Sequence, residues 1–200
     1  MPAGPSPTAT PHNSMTLFKR RFRIQSARLP AWDYASAAWY FVTICTAGRR
    51  LFLGALVEGV VELSPAGRMV AEEWACTPAV RANVELDEWV IMPNHLHGIV
   101  IIRAQPSVET SRRDVSTDTT PSSPQLPRLK PGSLGAIIGQ FKSVSTKRIR
   151  GAGYSDFAWQ PRFYDHVIRG DDSLAEIRQY IRNNPVKWAL DKDNPANLHM

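Results

Sequence analysis

Two apolar runs meet at a short polar connection in the stretch Trp89-Val90-Ile91-Met92-Pro93-Asn94-His95-Leu96-His97-Gly98-Ile99-Val100-Ile101-Ile102. Because Pro93-Asn94 leaves room only for a tight turn or a bulge, the two runs are expected to pair as an antiparallel hairpin. Side chains alternate across a strand, so His95 and His97 project to one face and Leu96 projects to the other. The hairpin therefore brings two imidazoles together.

Two imidazoles on one face have two interpretations. They are a common beginning of a metal site, because each neutral ring offers one nitrogen lone pair. Alternatively, they are polar residues on the solvated face of a half-buried strand, where they need no ligand. The neighbouring sequence has to distinguish between these interpretations.

Composition excludes several classes of protein. Two hundred residues with ordinary apolar content predict one domain with a sizeable core. The chain has no long uncharged apolar stretch, so no membrane helix is expected. The N-terminal residues lack the apolar run of a secretory signal. Cys45 and Cys76 fit reduced thiols packed in the core better than a disulfide framework. These features predict a cytoplasmic protein without a membrane partner.

The distribution of charge points to a polyanionic partner. The formal net charge is +6, yet no acidic residue precedes Asp33, while basic residues are frequent from Lys19 to Arg28. The segment from Arg128 to Arg150 is again rich in basic residues and lacks acidic ones. A basic cluster alone is usually a solvated surface. Two acid-free clusters in one basic chain favour nucleic acid as the partner.

The periodicity along the chain predicts an α+β fold. Outside a short hairpin, the expected order of elements is strand, helix, strand, strand, helix, strand, helix. The first six match the ferredoxin-like βαββαβ pattern with an antiparallel sheet, and the seventh is an additional C-terminal helix that carries a tyrosine. The predicted elements are strand 38–46, hairpin 56–63, helix 65–76, strands 84–92 and 95–103, helix 133–150, strand 158–168 and helix 174–184.

The domain organisation follows from composition shifts. Residues 1–17 and 191–200 are predicted to be tails, the first of them disordered. Residues 18–190 are expected to form a single domain. Within it, residues 104–131 contain five prolines among many serines and threonines, which predicts a flexible insertion between two parts of one fold.

The last predicted helix places Tyr180 and Asn184 one turn apart on the same side. A tyrosine phenol can attack phosphorus and become covalently linked to the phosphate. Because its ordinary pKa is about 10, it needs help at neutral pH, which a divalent metal on the phosphate can supply as a Lewis acid. His95, His97 and Asn184 offer two imidazoles and one amide oxygen. In the alternative interpretation, Tyr180 anchors the helix and Asn184 caps it.

At this point the chain resembles the HUH single-tyrosine transposases, and within them the REP-associated tyrosine transposase branch. The resemblance covers residues 20–190, although the 104–131 insertion does not map onto the family pattern. It rests on four motifs in order: Tyr40-Phe41-Val42-Thr43-Ile44-Cys45-Thr46, Pro93-Asn94-His95-Leu96-His97, Trp159-Gln160-Pro161-Arg162-Phe163-Tyr164-Asp165-His166 and Tyr180-Ile181-x-x-Asn184-Pro185.

The resemblance implies a mechanism. Tyr180 would form a 5′-phosphotyrosine link to single-stranded DNA and release a 3′-hydroxyl, and reversal of that step would rejoin strands. His95, His97 and Asn184 would ligate a divalent metal, for which we expect Mg²⁺ or Mn²⁺. Substrates in this branch are DNA hairpins of repetitive extragenic palindromes, called REP elements. The protein would act as a monomer or as a homodimer that shares its site.

Seven basic residues are the predicted DNA contacts, and their binding should weaken with salt. For Arg162, a structural ion pair is the equal alternative. The predicted contacts are Arg20, Arg21, Arg23, Lys142, Lys147, Arg150 and Arg162.

Two other functions remain open at this stage. A domesticated protein that binds DNA hairpins without turnover would share the basic surfaces but would not need Tyr180. A small metal-dependent hydrolase would use an activated water instead of a tyrosine, and the combination of Tyr180 with Asn184 argues against it.

Overall fold

The computed structural model describes residues 29, 31–104, 129–190 and 194, together with the backbone of two short paired strands, β1 (Leu17–Phe18) and β2 (Arg21–Phe22). Most of the predicted tail 1–17, the centre of the predicted insertion 104–131 and nearly all of the predicted tail 191–200 lie outside the described residues. The flexibility predicted for those segments stays a prediction.

A four-stranded antiparallel sheet forms the centre of the fold. Its strands are β3 (Ala38–Cys45), β6 (Val84–Met92), β7 (His95–Ile102) and β8 (Tyr164–Ile168), in the spatial order β6-β7-β3-β8. Helix α1 (Pro65–Ala75) connects β3 to β6, and helix α3 (Leu134–Gly151) connects β7 to β8. This arrangement confirms the predicted ferredoxin-like βαββαβ fold.

The other strands and helices lie outside the βαββαβ framework. The predicted small hairpin is present, and its turn at Glu58-Gly59 has positive φ at both residues, as a tight two-residue hairpin turn requires. None of the helices among the described residues is long and apolar enough to span a membrane. The remaining elements are β4 (Gly54–Val57), β5 (Val60–Leu63), α2 (Thr77–Val80), α4 (Asp171–Asn183) and short 3-10 turns at Ala47–Arg49 and Trp188–Leu190.

Both faces of the sheet are covered. Tyr40, Val42 and Ile44 of β3 belong to the larger core, which includes residues of α1 and α3. The alternate residue Phe41 belongs to a second core with Ile181 of α4. Helix α4 thus closes the face that the other two helices leave open, and it carries Tyr180.

Strand β7 is buried along its whole length because it has a neighbour on each edge and helices on each face. His95 and His97 are 0% and 1% exposed. The interpretation of these two histidines as residues on a solvated face is therefore wrong. Their polar atoms must be satisfied inside the protein.

Three local predictions are corrected. The last strand begins at Tyr164 rather than residue 158, because Pro161 has no N–H and the carbonyls of Gln160 and Arg162 accept hydrogen bonds from Lys142. Helix α4 begins three residues earlier than predicted, after Gly170. Cys76 is not a core thiol. It is exposed, because α1 turns Ala66, Val70 and Trp74 inward.

Two helical glycines are expected to respond in opposite ways to the same substitution. A Cβ at Gly67 would lie 1.9 Å from the carbonyl oxygen of Leu53, whereas a Cβ at Gly139 would meet nothing nearer than Leu129 Cδ1 at 3.9 Å. Gly67→Ala should therefore lower the free energy of unfolding by roughly 1–3 kcal/mol. Gly139→Ala should raise it by up to about 1 kcal/mol through helix propensity. Urea unfolding measures both, and equal effects would contradict the packing described.

Candidate functional site

The two histidines of β7 converge on one point. Their Nε2 atoms lie 2.9 Å apart, and their rings meet nearly edge-on with centroids 4.4 Å apart. In the sheet, His97 is paired with Thr43 of β3 and His95 with Cys45. The ring of His97 also stacks on Phe41, which places the pair on the face covered by α4.

Asn94 fixes the tautomer of His95. The Asn94 amide donates from Nδ2 to the carbonyl of Arg49 over 2.9 Å, which leaves its Oδ1 as the acceptor 2.8 Å from His95 Nδ1. Since an acceptor faces Nδ1, that nitrogen carries the proton and Nε2 carries the lone pair. The turn that contains Asn94 is also held in place. The backbone carbonyl of Asn94 accepts hydrogen bonds from the backbone N–H and from the hydroxyl of Thr46.

Thr43 faces Nδ1 of His97 but, unlike Asn94 at His95, does not fix which ring nitrogen carries the proton. Its Oγ1 lies 2.9 Å from His97 Nδ1, and a hydroxyl can either donate or accept. If Thr43 donates, His97 carries its proton on Nε2 and can donate to His95. If Thr43 accepts, both Nε2 lone pairs point at each other, which is favourable only with a cation between them. The distances are therefore compatible with two tautomers of His97, and only the second leaves both Nε2 lone pairs open to a ligand.

Tyr180 reaches the histidine pair from α4. Its Oη lies 3.4 Å from His97 Nε2, and its ring packs edge-on against His97 and Phe41 with centroids 5.2 and 5.9 Å away. The Tyr180 side chain is nevertheless 41% exposed. The phenol is thus held beside two buried imidazoles and remains accessible to a large substrate.

Asn184 is buried at the end of α4. It lies four residues after Tyr180 and four before Trp188, whose ring centroid is 5.8 Å from that of His95. The Asn184 side chain is 2% exposed, and its Oδ1 has no hydrogen-bond partner among the described residues. A buried amide oxygen without a partner is costly. Asn184 is also the C-cap residue of α4, where its backbone N–H donates to the carbonyl of Ile181, while its side-chain oxygen stays available to a ligand.

The candidate ligands His95, His97 and Asn184 differ in type from the ligands of the commonest metal sites. Within the described part of the chain, no group of three His, Cys, Asp or Glu side chains could hold a metal ion. A third protein ligand next to His95 and His97 would therefore have to be of another type, and the amide oxygen of Asn184 is of a suitable one.

A bulge in β6 holds α4 in place through contacts that no sequence motif predicts. The register of β6 against β7 shifts between Leu86 and Trp89, so that Asp87 and Glu88 fall within the bulge. Arg178 of α4 binds both carboxylate oxygens of Asp87, at 2.9 and 2.5 Å. Arg182, one turn later, binds Glu88 over 2.9 Å.

The basic residues predicted to contact DNA have different roles in the structure. Lys147 and Arg162 are exposed. Arg150 donates to the carbonyl of Phe157, and Lys142 donates to the carbonyls of Gln160 and Arg162, so both cations also stabilise the loop after α3. Burial lowers the pKa of the Lys142 ammonium to about 8. Arg20 and Arg23 lie outside the described residues, and only the backbone of Arg21 is described.

The fold and the site together define a ferredoxin-like protein with a buried histidine pair and a tyrosine on a packed C-terminal helix. No protein-family model matches the chain. The chain is 32% identical to an uncharacterized protein of Haemophilus influenzae over 169 residues, which is 84% of this chain and 91% of the relative. It belongs to the same family as that protein.

A solved structure has a similar fold. It is a REP-associated tyrosine transposase bound to a REP hairpin, with a TM-score of 0.54 and 21% identity. The match covers 82% of this chain and 76% of the transposase. The likeness agrees with the sheet order and helix placement described above.

The contact between Asp87 and Arg178 predicts a specific acid sensitivity. The hydrogen bonds from Arg178 lower the pKa of the Asp87 carboxyl, so the pair stabilises the fold above the ordinary pKa near 4 and loses that effect as pH falls. Asp87→Asn should lower the melting temperature at pH 7, and the difference from the unsubstituted protein should shrink below about pH 4.

Thermal melts between pH 3 and pH 7 measure this difference. Glu176→Gln is the matched control, since Glu176 is an exposed carboxylate on the same helix. A difference between Asp87→Asn and the unsubstituted protein that does not change with pH would contradict a charge-dependent contact.

Proposed function

We propose that the chain is a tyrosine transposase that cleaves and rejoins single-stranded DNA at hairpins of the REP type. The observation that carries this proposal is the position of Tyr180, whose Oη lies 3.4 Å from Nε2 of His97 in the buried histidine pair. A nucleophile next to groups that can hold a Lewis acid is the arrangement that metal-assisted phosphoryl transfer to a side chain requires.

His95, His97 and Asn184 are proposed to hold Mg²⁺ or Mn²⁺. Their fit is supported by the two facing Nε2 atoms and by the orphaned oxygen of Asn184. The 2.9 Å between the nitrogens is close to the separation of about 3 Å between neighbouring ligands on an octahedron with bonds of about 2.1 Å. The bound ion would supply Lewis acidity to the scissile phosphate.

The reaction follows from the accessible phenol. Tyr180 Oη attacks phosphorus, a new O–P bond forms, and the bond from phosphorus to the 3′ oxygen breaks. The phenol proton passes to solvent, which reaches the 41%-exposed side chain, and the departing 3′ oxygen takes a proton from solvent. The products are a 5′-phosphotyrosine and a 3′-hydroxyl. Attack by a 3′-hydroxyl on the linkage reverses the step and joins strands.

The packing around Tyr180 suits this role. Phe41 supports the ring from the sheet, and the salt bridges from Arg178 and Arg182 to the β6 bulge hold the helix that carries it. A single chain contains both Tyr180 and the histidines, so a monomer has a complete site in cis. A homodimer that exchanges α4 is the other arrangement consistent with the same residues.

Hairpin DNA is proposed as the substrate for two reasons. A solved structure with a similar fold is bound to a REP hairpin. The chain is basic, with a formal net charge of +6, and Lys147 and Arg162 present cations on the surface. Phosphate contacts from such residues would position the duplex, and the exposed Tyr180 would meet an adjoining single strand.

Tyr180→Phe should abolish covalent attachment to DNA. The phenylalanine keeps the ring contacts with His97 and Phe41 but lacks the nucleophilic oxygen. With Mn²⁺ and a labelled REP-type hairpin, the unsubstituted protein should give a protein–DNA adduct on a denaturing gel, and EDTA should prevent it. Tyr180→Phe should still bind the hairpin.

The control is Tyr164→Phe, which removes a phenol on the same face, 6.2 Å from Phe41 between ring centroids. This variant should still form the adduct. Cleavage by Tyr180→Phe without an adduct would instead indicate hydrolysis by water. Hairpin binding by the unsubstituted protein without any cleavage would indicate a binding protein without turnover.

Thr43→Val should weaken metal binding. Valine keeps the shape of threonine but cannot accept the proton of His97 Nδ1, so it removes the support for the metal-binding tautomer. Loss of such a partner typically lowers metal affinity about 10–100-fold. Titration with Mn²⁺, followed by electron paramagnetic resonance, measures this affinity without DNA. Thr77→Val, another buried threonine but in α2, is the control, and equal affinity in both variants would contradict the prediction.

A further inference from the structure

His166 is an imidazole that has no role in the reaction described so far. It lies on β8, directly across from Phe41 of β3 in the sheet register. Residues that face each other across two antiparallel strands project to the same side of the sheet. Phe41 belongs to the core beneath α4 and contacts both His97 and Tyr180, so His166 projects to the same face as those two residues. Among the described residues, a third imidazole therefore shares the face of the candidate site.

The His166 side chain is accessible and not engaged in the fold. It is exposed, and within the described part of the chain it makes no hydrogen bond or ion pair. Its strand neighbours Asp165 and Val167 point to the opposite side of the sheet, where both are buried. A groove of about 330 Å³ opens beside His166, and its lining includes Arg169 and Ser173. The packing of the described residues therefore leaves this imidazole available to a substrate.

The order of the strands places His166 on the side of the site away from the anchor of α4. Salt bridges hold α4 at β6, which is one edge of the sheet, whereas β8 is the other edge. Only β3 separates β8 from β7, so the backbones of these two strands are about 10 Å apart at the usual spacing. In phosphoryl transfer the attacking and leaving oxygens lie roughly in line on opposite sides of phosphorus. A phosphate at the histidine pair that Tyr180 attacks from α4 would direct its leaving oxygen toward β8.

The departure of the 3′ oxygen is the step that an imidazole at this position can assist. An alkoxide is a poor leaving group, and a general acid that protonates it as the bond breaks typically accelerates such a reaction about 10²–10⁴-fold. Imidazole is the side chain best suited to give and take a proton near neutral pH. The histidine pair offers no such proton once its nitrogens hold a metal. The exposed imidazole of β8 is therefore the suitable proton donor on this face among the described residues.

We infer that His166 is a catalytic residue that donates its ring proton to the departing 3′ oxygen. As the bond from phosphorus to that oxygen breaks, the imidazolium becomes a neutral imidazole and the product is a 3′-hydroxyl. In strand joining, the neutral imidazole takes the proton back from the attacking 3′-hydroxyl, and the released Tyr180 oxygen takes a proton from solvent. The inference rests on the proposed function, because it takes cleavage by Tyr180 as the reaction. His166 replaces solvent as the proton donor in that reaction.

The test uses a substrate whose leaving group needs no proton. Cleavage of a labelled REP-type hairpin by the unsubstituted protein first maps the scissile position. A second hairpin then carries sulfur in place of the 3′ bridging oxygen at that position, so that a stable thiolate departs. With the ordinary hairpin, His166→Gln should form the adduct about 100-fold more slowly than the unsubstituted protein in single-turnover experiments. With the sulfur-containing hairpin, the two proteins should form the adduct at the same rate.

Tyr164→Phe is the matched control, because Tyr164 lies two residues earlier on the same strand and therefore on the same face. It should match the unsubstituted protein with both hairpins. Equal slowing of His166→Gln with both hairpins would indicate a structural or binding role and overturn the inference, and so would an unchanged rate with the ordinary hairpin. The proposed function stands under either outcome, because the unsubstituted protein still forms its adduct. If that protein forms no adduct with either hairpin, both proposals are wrong.

Discussion

The burial of β7 on both faces is the constraint on which the rest of this structure depends. Helices α1 and α3 cover one face and α4 covers the other, so His95 and His97 are withdrawn from water. Buried imidazoles need partners inside the protein. Asn94 and Thr43 satisfy the two Nδ1 atoms, which turns the two Nε2 atoms toward each other below α4. The same layering that builds the core therefore aligns the two imidazoles.

Helix α4 places an exposed side chain beside this buried pair. Its apolar side packs on the sheet through Ile181, and Arg178 ties it to the β6 bulge. Tyr180 then lies at the boundary, touching His97 with one edge of its ring while much of the side chain stays exposed. Such an arrangement suits the proposed DNA substrate, because only its scissile phosphate would have to approach the imidazoles. It also makes the position of one helix decisive for the chemistry.

Basic residues that are neighbours in sequence divide between stabilising the fold and facing solvent. Lys142 and Arg150 donate to backbone carbonyls of the loop after α3, while Lys147 of the same helix is exposed. Arg148 binds two carboxylates of α1, at Glu72 and Glu73. Charge clustering predicts a polyanionic partner for the chain as a whole. It does not show which cations are available to that partner, since each one's role depends on the acceptors that other elements bring near it.

The sequence alone determined the order of the elements, the tight turn at Pro93-Asn94 and the shared face of His95 and His97, because periodicity and turn chemistry are local properties. Sequence reasoning also selected Tyr180 and Asn184 as one-turn neighbours. Only the tertiary structure decided that the histidine face is buried, that the phenol meets His97, and that Asp87 and Glu88 hold α4. The physical reason is that these features depend on contacts between residues far apart in the chain, whose partners and distances no local pattern encodes.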